Sequence, residues 1–250
     1  MEVNPSQSGA FCGLTQTARP LPLSGQAQPA EAESVTHTQR DYLAEVYRLA
    51  AAEEGPVTTT ALAERLEVSP PAVVRMMQRL ARDGYLRRVP YKGVVLTKTG
   101  EVEALRAIRR HRLLEAFLVN VMGYGWDEAH APADHLQPAI DDGFEDRMER
   151  VAGYPKYCPH GEPIPTRDGQ IEIIADQPLA EAEPGQRLTV RRVKTHDPEK
   201  LRYLAQLGLV PGATVQVVHR APFNGPLRLR LGRTEAVIGH ELAREVRAQA

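Results

Sequence analysis

The stretch from Thr58 to Thr97 constrains the fold of this chain most, because it predicts two short helices, a tight turn and a small β-ribbon in that order. Thr59 or Thr60 is suited to cap the first of these helices. Ser69-Pro70-Pro71 is typical of the start of the second, since the amide hydrogens that proline lacks are needed least in the first turn of a helix.

The second helix has an apolar face and a basic face. Its predicted inner residues are Val73, Val74, Met77 and Leu80, and its predicted outer residues are Arg75, Gln78, Arg79 and Arg82. Asp83-Gly84 ends it, and a hairpin with a basic tip follows. This order predicts a winged helix-turn-helix whose second helix enters the DNA major groove. The expected DNA contacts come from Ser69, Pro71, Arg75, Arg79 and Lys92. The alternative is a helical hairpin whose arginines are only solvated.

Composition limits the classes of protein that remain. With 250 residues, 42% of them hydrophobic, the chain has room for up to three small domains. The formal net charge is −1, so any basic surface must be local. No apolar run approaches a membrane span and no secretory leader is evident, so we expect a cytoplasmic protein. Cys12 and Cys158 are the only cysteines and support neither a disulfide framework nor a cysteine-rich zinc site.

The N-terminal region divides into two parts. Residues 1–33 are rich in Pro, Gln, Ala, Ser and Gly and are predicted to be a disordered tail. Structure is predicted to begin at Thr36-His37-Thr38-Gln39, which has the spacing of a capping box, and the helix that follows should reach about Glu53. Asp41 lies in its first turns, where the helix dipole alone also favours a carboxylate.

Histidines and carboxylates recur at helical spacing on two consecutive predicted helices. His111 and Glu115 are separated by four positions on a long predicted helix. His130, Asp134 and Gln137 follow at intervals of four and three positions. Such pairs also arise by chance, but two of them on neighbouring helices favour a site for a hard or borderline metal ion.

The segments around these residues allow three further predictions. The long helix, predicted over 99–122, is apolar on more than one face and is expected to supply a dimer seam. Pro138 is expected to kink the next helix or to restart it. Cys158 and His160, in the proline-rich loop 154–166, have the spacing of a metal pair, but no second pair completes it. A packed turn is therefore the favoured interpretation of that loop.

The C-terminal part of the chain alternates apolar and polar residues. RLTVRRV, ATVQVVHRA, PLRLRLG and TEAVIG predict strands, residues 197–209 predict a short helix, and the tail HELAREVRA predicts a helix or a strand. We expect a five-stranded SH3-like β-barrel, with an extra strand over 171–175. The predicted fold class is mainly α with small β. Its parts are the tail 1–33, a winged helix-turn-helix 34–98, a helical dimerisation domain 99–166, a linker 167–184 and the SH3-like domain 185–250.

From about Thr36 onward the chain resembles the DtxR/MntR family of metal-dependent transcriptional repressors. The stretches that carry the resemblance are VTTTALAERLEVSPPAVVRMMQRLARDGYL, GVVLTKTGEVEALRAIRRHRLLEAFL, YCPHGEPIPTRDG and DPEKLRYLAQLGLVPGATVQVVHRAPFNGPL. Among them, RHRLLE together with CPHG and PIP is specific to the family. The resemblance implies the same three-part architecture, which ends in a domain similar to the ferrous-iron-transport A (FeoA) module.

The resemblance also implies two neighbouring metal sites. For the first, Asp41, Asp134 and Gln137 stand at ligand positions of the family. Pro138 stands where the family has a histidine ligand, so His135 or a backbone carbonyl is the expected substitute.

The second site that the resemblance implies matches the family better. His111, Glu115 and His130 are all in place there. The third domain is expected to add a ligand from the loop that contains Asp197 and Glu199, and these two acidic residues are the candidates.

The function that the resemblance implies is a homodimeric repressor that binds a palindromic operator in double-stranded DNA and controls metal-uptake genes. Mn²⁺ is the favoured ion and Fe²⁺ the second, because Asp41 and Asp134 offer oxygen where iron-sensing members hold sulfur. Zn²⁺ and Co²⁺ are expected to bind in vitro. Two alternatives stay open. One is a regulator that has lost metal control and responds to another ligand or an oxidant. The other is an enzyme built on the same cluster, although no nucleophile–base pair accompanies it.

Overall fold

The computed structural model describes residues 35–53 and 55–250, so the predicted disordered tail lies outside the described residues. The helices are α1 (His37–Glu53), α2 (Thr59–Leu66), α3 (Pro70–Arg82), α4 (Lys98–Asn120), α5 (His130–Leu136), α6 (Asp142–Val151), α7 (Pro198–Gln206) and α8 (His240–Glu245). The strands are β1 (Leu86–Val89), β2 (Gly93–Leu96), β3 (Gln177–Pro178), β4 (Arg187–Val193), β5 (Thr214–Arg220), β6 (Leu227–Leu231), β7 (Thr234–Ile238) and β8 (Val246–Gln249). None of the described helices is long and apolar enough to cross a membrane.

The N-terminal unit packs α1, α2, α3 and the β1–β2 hairpin around one apolar core. The predicted capping box is present at the start of α1. Thr36 N–H donates to Gln39 Oε1 (2.8 Å), and Gln39 N–H donates to Thr36 Oγ1 (3.3 Å). The cap of α2 is Thr58 rather than Thr59 or Thr60, because the Thr58 hydroxyl accepts the amide hydrogen three residues further on.

Helix α3 has the two faces that the sequence predicted. Val73, Met77 and Leu80 are buried in the core of the unit, whereas Arg75 and Arg79 are exposed. The antiparallel β1–β2 hairpin follows directly. The predicted winged helix-turn-helix is therefore confirmed.

The helical unit is built on α4, with α5 and α6 packed against it. Buried charges hold α6 in place, since Arg109 on α4 donates to Glu145 (2.9 Å) and Glu149 (2.7 Å). Helix α5 ends before Pro138, and a 3-10 turn over Gln137–Ala139 replaces the next α-helical turn. Proline has no N–H to continue the α-helical bonding, so the predicted break in this helix is confirmed.

The C-terminal unit is an antiparallel sheet in the order β3-β8-β4-β5-β6-β7, wrapped around an apolar core. It has six strands rather than the five predicted, because Gln177–Pro178, in the segment predicted as linker, pairs with β8. The extra strand predicted over 171–175 is absent from the described structure, where that segment has no regular secondary structure. The tail forms both predicted elements in turn, α8 and then β8.

The loop 154–166 is fastened on both sides. On the helical side, Arg112 of α4 donates to Pro163 O (2.6 Å) and to Glu162 (3.1 Å). On the other side, Arg192 of β4 donates to the same Glu162 carboxylate (3.2 Å). The loop therefore lies between α4 and the C-terminal sheet and is bound to both.

Candidate metal centre

Glu115 lies at the centre of a cluster of histidines. It is on α4, and its side chain is only 1% exposed. Its Oε1 lies 3.1 Å from His111 Nε2 and 2.9 Å from His130 Nδ1. Its Oε2 lies 3.5 Å from His160 Nδ1. Both carboxylate oxygens therefore face imidazole nitrogens, which come from α4, from the start of α5 and from the loop 154–166.

His160 is fully buried and is oriented by a backbone group. Its Nε2 lies 2.9 Å from the carbonyl oxygen of Trp126, to which it donates. In the neutral ring this leaves Nδ1 without a hydrogen, facing the Glu115 carboxylate. Two acceptors, His160 Nδ1 and the Glu115 carboxylate, thus face each other with no hydrogen between them, and a cation would bind both. This is also the usual arrangement of a histidine ligand, whose second nitrogen donates to a carbonyl. The buried thiol of Cys158 lies beside it, with Sγ 3.9 Å from His160 Nδ1.

The C-terminal unit adds His196 to the cluster. Its ring stacks on that of His130 with 4.0 Å between centroids. Burial lowers the pKa of His196 to about 3, so the ring is neutral at physiological pH. Its Nδ1 is buried and has no hydrogen-bond partner among the described residues. A buried nitrogen of this kind needs an explanation, and a metal ligand is one.

The predicted ligands of the loop before α7 do not take this position. Asp197 caps α7, and its carboxylate accepts the backbone hydrogens of Glu199 (2.9 Å) and Lys200 (3.3 Å). Glu199 itself is exposed. The structure thus brings His196, rather than Asp197 or Glu199, from this loop into the cluster.

Asp134 and Gln137 lie on the other side of His111. Asp134 Oδ1 is 3.2 Å and Gln137 Oε1 is 3.1 Å from His111 Nδ1. Gln137 Nε2 in turn lies 3.4 Å from Oδ1 of Asp41 on α1. His111 therefore faces the Glu115 cluster with one nitrogen and Asp134 and Gln137 with the other, while Gln137 links this side to Asp41.

The electrostatics of the cluster favour charged carboxylates. Burial alone would raise the pKa of Glu115, but hydrogen bonds from His111 and His130 hold it well below its ordinary value. Burial alone would lower the pKa of His111, but hydrogen bonds to Asp134 and Glu115 raise it to about 9. Without a metal ion, His111 therefore carries a proton that neutralises part of this negative charge.

The donor set fits a divalent cation. Two groups of three residues, His111–Glu115–His130 and Glu115–His160–His196, each place one donor atom apiece within 4.8 Å of the others, and they share Glu115. Imidazole nitrogen and carboxylate oxygen together suit first-row transition ions. Such an ion would be held by elements of the helical unit and of the C-terminal unit.

The structure brings together five predicted ligands, namely His111, Glu115, His130, Asp134 and Gln137. Two histidines of the cluster, His160 and His196, are not among the predicted ligands. The Cys158–His160 spacing is that of a metal pair, but no second pair along the chain completes it. In the loop before α7, the family resemblance points to Asp197 and Glu199 rather than to His196. The partners of both histidines are distant in sequence, so the only local signal was the histidine itself.

The predicted DNA-binding residues lie on the surface of the N-terminal unit. Ser69 begins α3 without making a side-chain capping hydrogen bond. Pro71, Arg75, Arg79 and Lys92 are exposed, as is Ser69. Arg79 lies 3.7 Å from Asp83, and the described structure gives Arg75 no ion pair.

Three family models match successive parts of the chain. Residues 34–94 match the iron dependent repressor, N-terminal DNA binding domain. Residues 97–166 match the iron dependent repressor, metal binding and dimerisation domain. Residues 177–250 match the FeoA domain.

Individual proteins agree with these matches. The chain is 32% identical over 228 residues to the iron-dependent repressor IdeR of Mycobacterium tuberculosis, which covers 85% of this chain and 96% of IdeR. It is 30% identical over 204 residues to the diphtheria toxin repressor of Corynebacterium efficiens, covering 75% of this chain and 85% of the relative.

Solved structures are similar over the same range. A manganese-dependent transcriptional repressor in complex with manganese has a TM-score of 0.78 and 33% identity, covering 85% of this chain and 99% of that one. ScaR with bound Cd²⁺ has a TM-score of 0.72 and 30% identity, covering 84% and 98%. The three units, their order and these likenesses show that the chain belongs to the iron-dependent repressor family of metal-dependent, DNA-binding transcriptional repressors.

Proposed function

We propose that this protein is a homodimeric repressor of metal-uptake genes whose affinity for a palindromic operator rises when a divalent cation occupies the cluster around Glu115. The observation that carries the proposal is the Glu115 carboxylate, buried among four histidines from α4, α5 and two loops. Buried charged and polar side chains are often less stabilising than hydrophobic side chains of the same volume, so their presence together in the interior favours a ligand-binding role.

The residues on the Nδ1 side of His111 lie where the DNA-binding unit meets the helical unit. Asp41 belongs to α1 of the DNA-binding unit, whereas Asp134 and Gln137 follow the start of α5 in the helical unit. A bound cation supplies positive charge and directed ligand bonds at this junction. Gln137 and Asp134 would hold α1 through Asp41, and the two recognition helices of a dimer would keep the spacing of about one DNA turn, roughly 34 Å.

The energy required for this switch is small. A tenfold change in DNA affinity corresponds to about 1.4 kcal/mol. The metal ion therefore needs to bind the DNA-competent conformation more tightly than the other conformations by only that amount. The oxygen donors Asp41, Asp134 and Gln137 favour Mn²⁺, with Fe²⁺ as the second candidate. The set Glu115, His160 and His196 is richer in nitrogen, so Zn²⁺ and Co²⁺ should bind strongly in vitro.

The dimer is expected to form through the helical unit. Large apolar side chains are exposed there at the end of α4, in α5 and α6 and in the loops beside them, namely Val121, Met122, Tyr124, Leu136, Phe144, Val151 and Tyr154. Exposed apolar residues in such number mark an interaction surface in a soluble domain. The description of the matching family model as a dimerisation domain supports this assignment.

Arg75 is the strongest candidate for reading DNA bases, because it is exposed near the start of α3. We expect Arg75→Ala to weaken binding of the metal-loaded protein to its operator by about 1–3 kcal/mol. Fluorescence anisotropy at fixed salt would measure the effect on the operator and on a scrambled duplex. A loss confined to the operator identifies a base contact, and an equal loss on both identifies a phosphate contact. Arg233→Ala, at an exposed turn of the C-terminal unit, is the charge-matched control. Unchanged binding by Arg75→Ala would exclude the residue from the interface.

Metal binding should release close to one proton near neutral pH. His111 has a pKa of about 9 in the metal-free protein, so it is protonated there and must lose its proton to become a ligand. Glu115 and Asp134 have lowered pKa values and bring no proton to displace. The apparent Mn²⁺ affinity should therefore rise with pH by up to about tenfold per unit and level off near the pKa of His111. Calorimetry in two buffers of different ionisation enthalpy counts the protons. An affinity independent of pH, with no proton release, would contradict this assignment.

The direct test of the proposed function is the affinity for a palindromic promoter duplex, measured at fixed salt with chelator and then with Mn²⁺ or Fe²⁺. A rise of at least about tenfold on metal addition supports a metal-dependent repressor. Equally tight binding in both conditions would favour the alternative regulator that has lost metal control, for which Gln137 and Pro138 are the departures from the family pattern.

A further inference from the structure

The first of the two expected sites lacks a side-chain nitrogen at the position where the family resemblance places one. Pro138 lies in the 3-10 turn after α5 and has no side-chain donor. His135, one of the expected substitutes, is exposed, and its Nδ1 lies 2.6 Å from the carbonyl oxygen of Ala131. Neither residue lines the cavity that Asp41 faces.

A different histidine faces Asp41. His37 is the first residue of α1 and precedes Asp41 by four positions, so the two side chains lie on one face of the helix. His37 Nε2 is 3.2 Å from Asp41 Oδ2. Donor atoms that share one octahedral ion with bonds of about 2.1–2.3 Å are themselves roughly 3 Å apart, so this separation suits two ligands of one cation.

The remaining donors surround the same space. A cavity of about 280 Å³ is lined by His37 and Asp41 from α1 and by Asp134 and Gln137 from the helical unit. The Gln137 amide lies between Asp41 and His111, and a half-turn of the amide would point its oxygen at Asp41. His37 and Asp41 are about one-third exposed, so an ion can reach them from solvent.

We propose that His37 is a ligand of the first metal site and supplies the nitrogen that Pro138 cannot. The site would then consist of His37 and Asp41 from α1 with Asp134 and Gln137 from the helical unit. This inference rests on the proposed metal-dependent function.

A histidine ligand from α1 changes what the first site does. With His37 included, the DNA-binding unit contributes two ligands rather than one, both on the first turns of α1. An ion bound there fixes the direction of that helix as well as its distance from the helical unit. One imidazole among oxygen donors also selects Mn²⁺ and Fe²⁺ over the more abundant Mg²⁺, which prefers oxygen alone.

The test is a titration of the full chain with Mn²⁺, monitored by calorimetry and by the electron paramagnetic resonance signal of free Mn²⁺. We expect His37→Ala to weaken one binding step by at least about tenfold and to leave the other steps unchanged. The pulsed spectrum of bound Mn²⁺ should lose one histidine nitrogen coupling. His135→Ala is the matched control and should behave as the unaltered protein. His37→Asp, which restores an oxygen donor, should recover part of the lost Mn²⁺ affinity.

The outcomes separate this proposal from the function on which it rests. If His37→Ala binds Mn²⁺ as the unaltered protein does, His37 is not a ligand, although metal control can still hold. If His135→Ala weakens the step instead, His135 is the substitute and the proposal is wrong. If the unaltered protein binds no Mn²⁺ or Fe²⁺, the proposed function itself fails. A change limited to the thermal midpoint of the metal-free protein would show only a structural role for the His37–Asp41 pair and would overturn the proposal.

Discussion

His111→Ala is expected to remove nearly all of the metal-dependent gain in operator affinity, leaving less than about a twofold response where the unaltered protein gains tenfold or more. His111 is buried on α4 and lies between the two groups of candidate ligands. Its Nε2 faces Glu115, and its Nδ1 faces Asp134 and Gln137. Alanine removes a ligand of one site and the hydrogen-bond donor that orients the ligands of the other.

A second variant and a stability measurement distinguish the loss of a ligand from a loss of folding. His111→Gln fills most of the same volume and keeps a hydrogen-bonding group, so it should fold at least as well as His111→Ala and still lose the metal response. The thermal midpoint of each variant without metal reports the structural cost separately. His135→Ala should retain the full response, because its side chain is exposed and bonds to the backbone of its own helix. A full Mn²⁺ response in folded His111→Ala would place the regulatory ion elsewhere.

Gly161→Ala should destabilise the protein by about 3 kcal/mol and weaken metal binding at the Glu115 cluster. Gly161 follows His160 and has a φ of +84°, which L-residues rarely adopt. A Cβ there would lie 2.1 Å from the carbonyl oxygen of Arg191 on β4. The obstacle is backbone, so it cannot rotate away. The loop 154–166 must then move off the C-terminal sheet, and His160 moves with it.

Gly153→Ala separates the cost of the left-handed backbone conformation from the cost of the clash with Arg191. Gly153 has a similar φ of +79°, but a Cβ there would meet nothing within 4 Å. Its replacement should therefore cost only the strain of the left-handed conformation, about 1–2 kcal/mol, with Mn²⁺ affinity unchanged. Calorimetric unfolding and Mn²⁺ titration of both variants make the comparison. Equal destabilisation by the two substitutions, with metal affinity intact in both, would mean that the loop and the sheet are not tightly packed in solution.

The close packing behind this prediction also explains why the C-terminal unit contributes to the metal centre. Arg192 of β4 donates to Glu162 and, at 2.7 Å, to the buried carboxylate of Asp176. The pKa of Asp176 is lowered because hydrogen bonds from Arg192 and Arg247 outweigh its burial. The pair between Arg192 and Glu162 holds the loop that carries His160 against the sheet that leads to His196.

The sequence by itself determined the main features that depend on residues close along the chain. Proline at the start of α3 and apolar residues at helical spacing predicted the winged helix-turn-helix. The same periodicity placed His111 with Glu115 and His130 with Asp134, because residues four apart on a helix share a face. The break at Pro138 followed from a missing N–H.

Only the tertiary structure decided which loops complete the site. His160 and His196 belong to segments without a helical period, and nothing local distinguishes them from surface histidines. They meet Glu115 because Glu162 and Arg192 join the loop 154–166 to the sheet. In the sequence, His37 is recognisable only as part of a capping box. Its proposed role as a ligand beside Asp41 depends on Asp134 and Gln137, which face α1 across a cavity. Periodicity encodes neighbours within one element, whereas ligands from separate elements converge through packing and ion pairs between residues far apart in sequence.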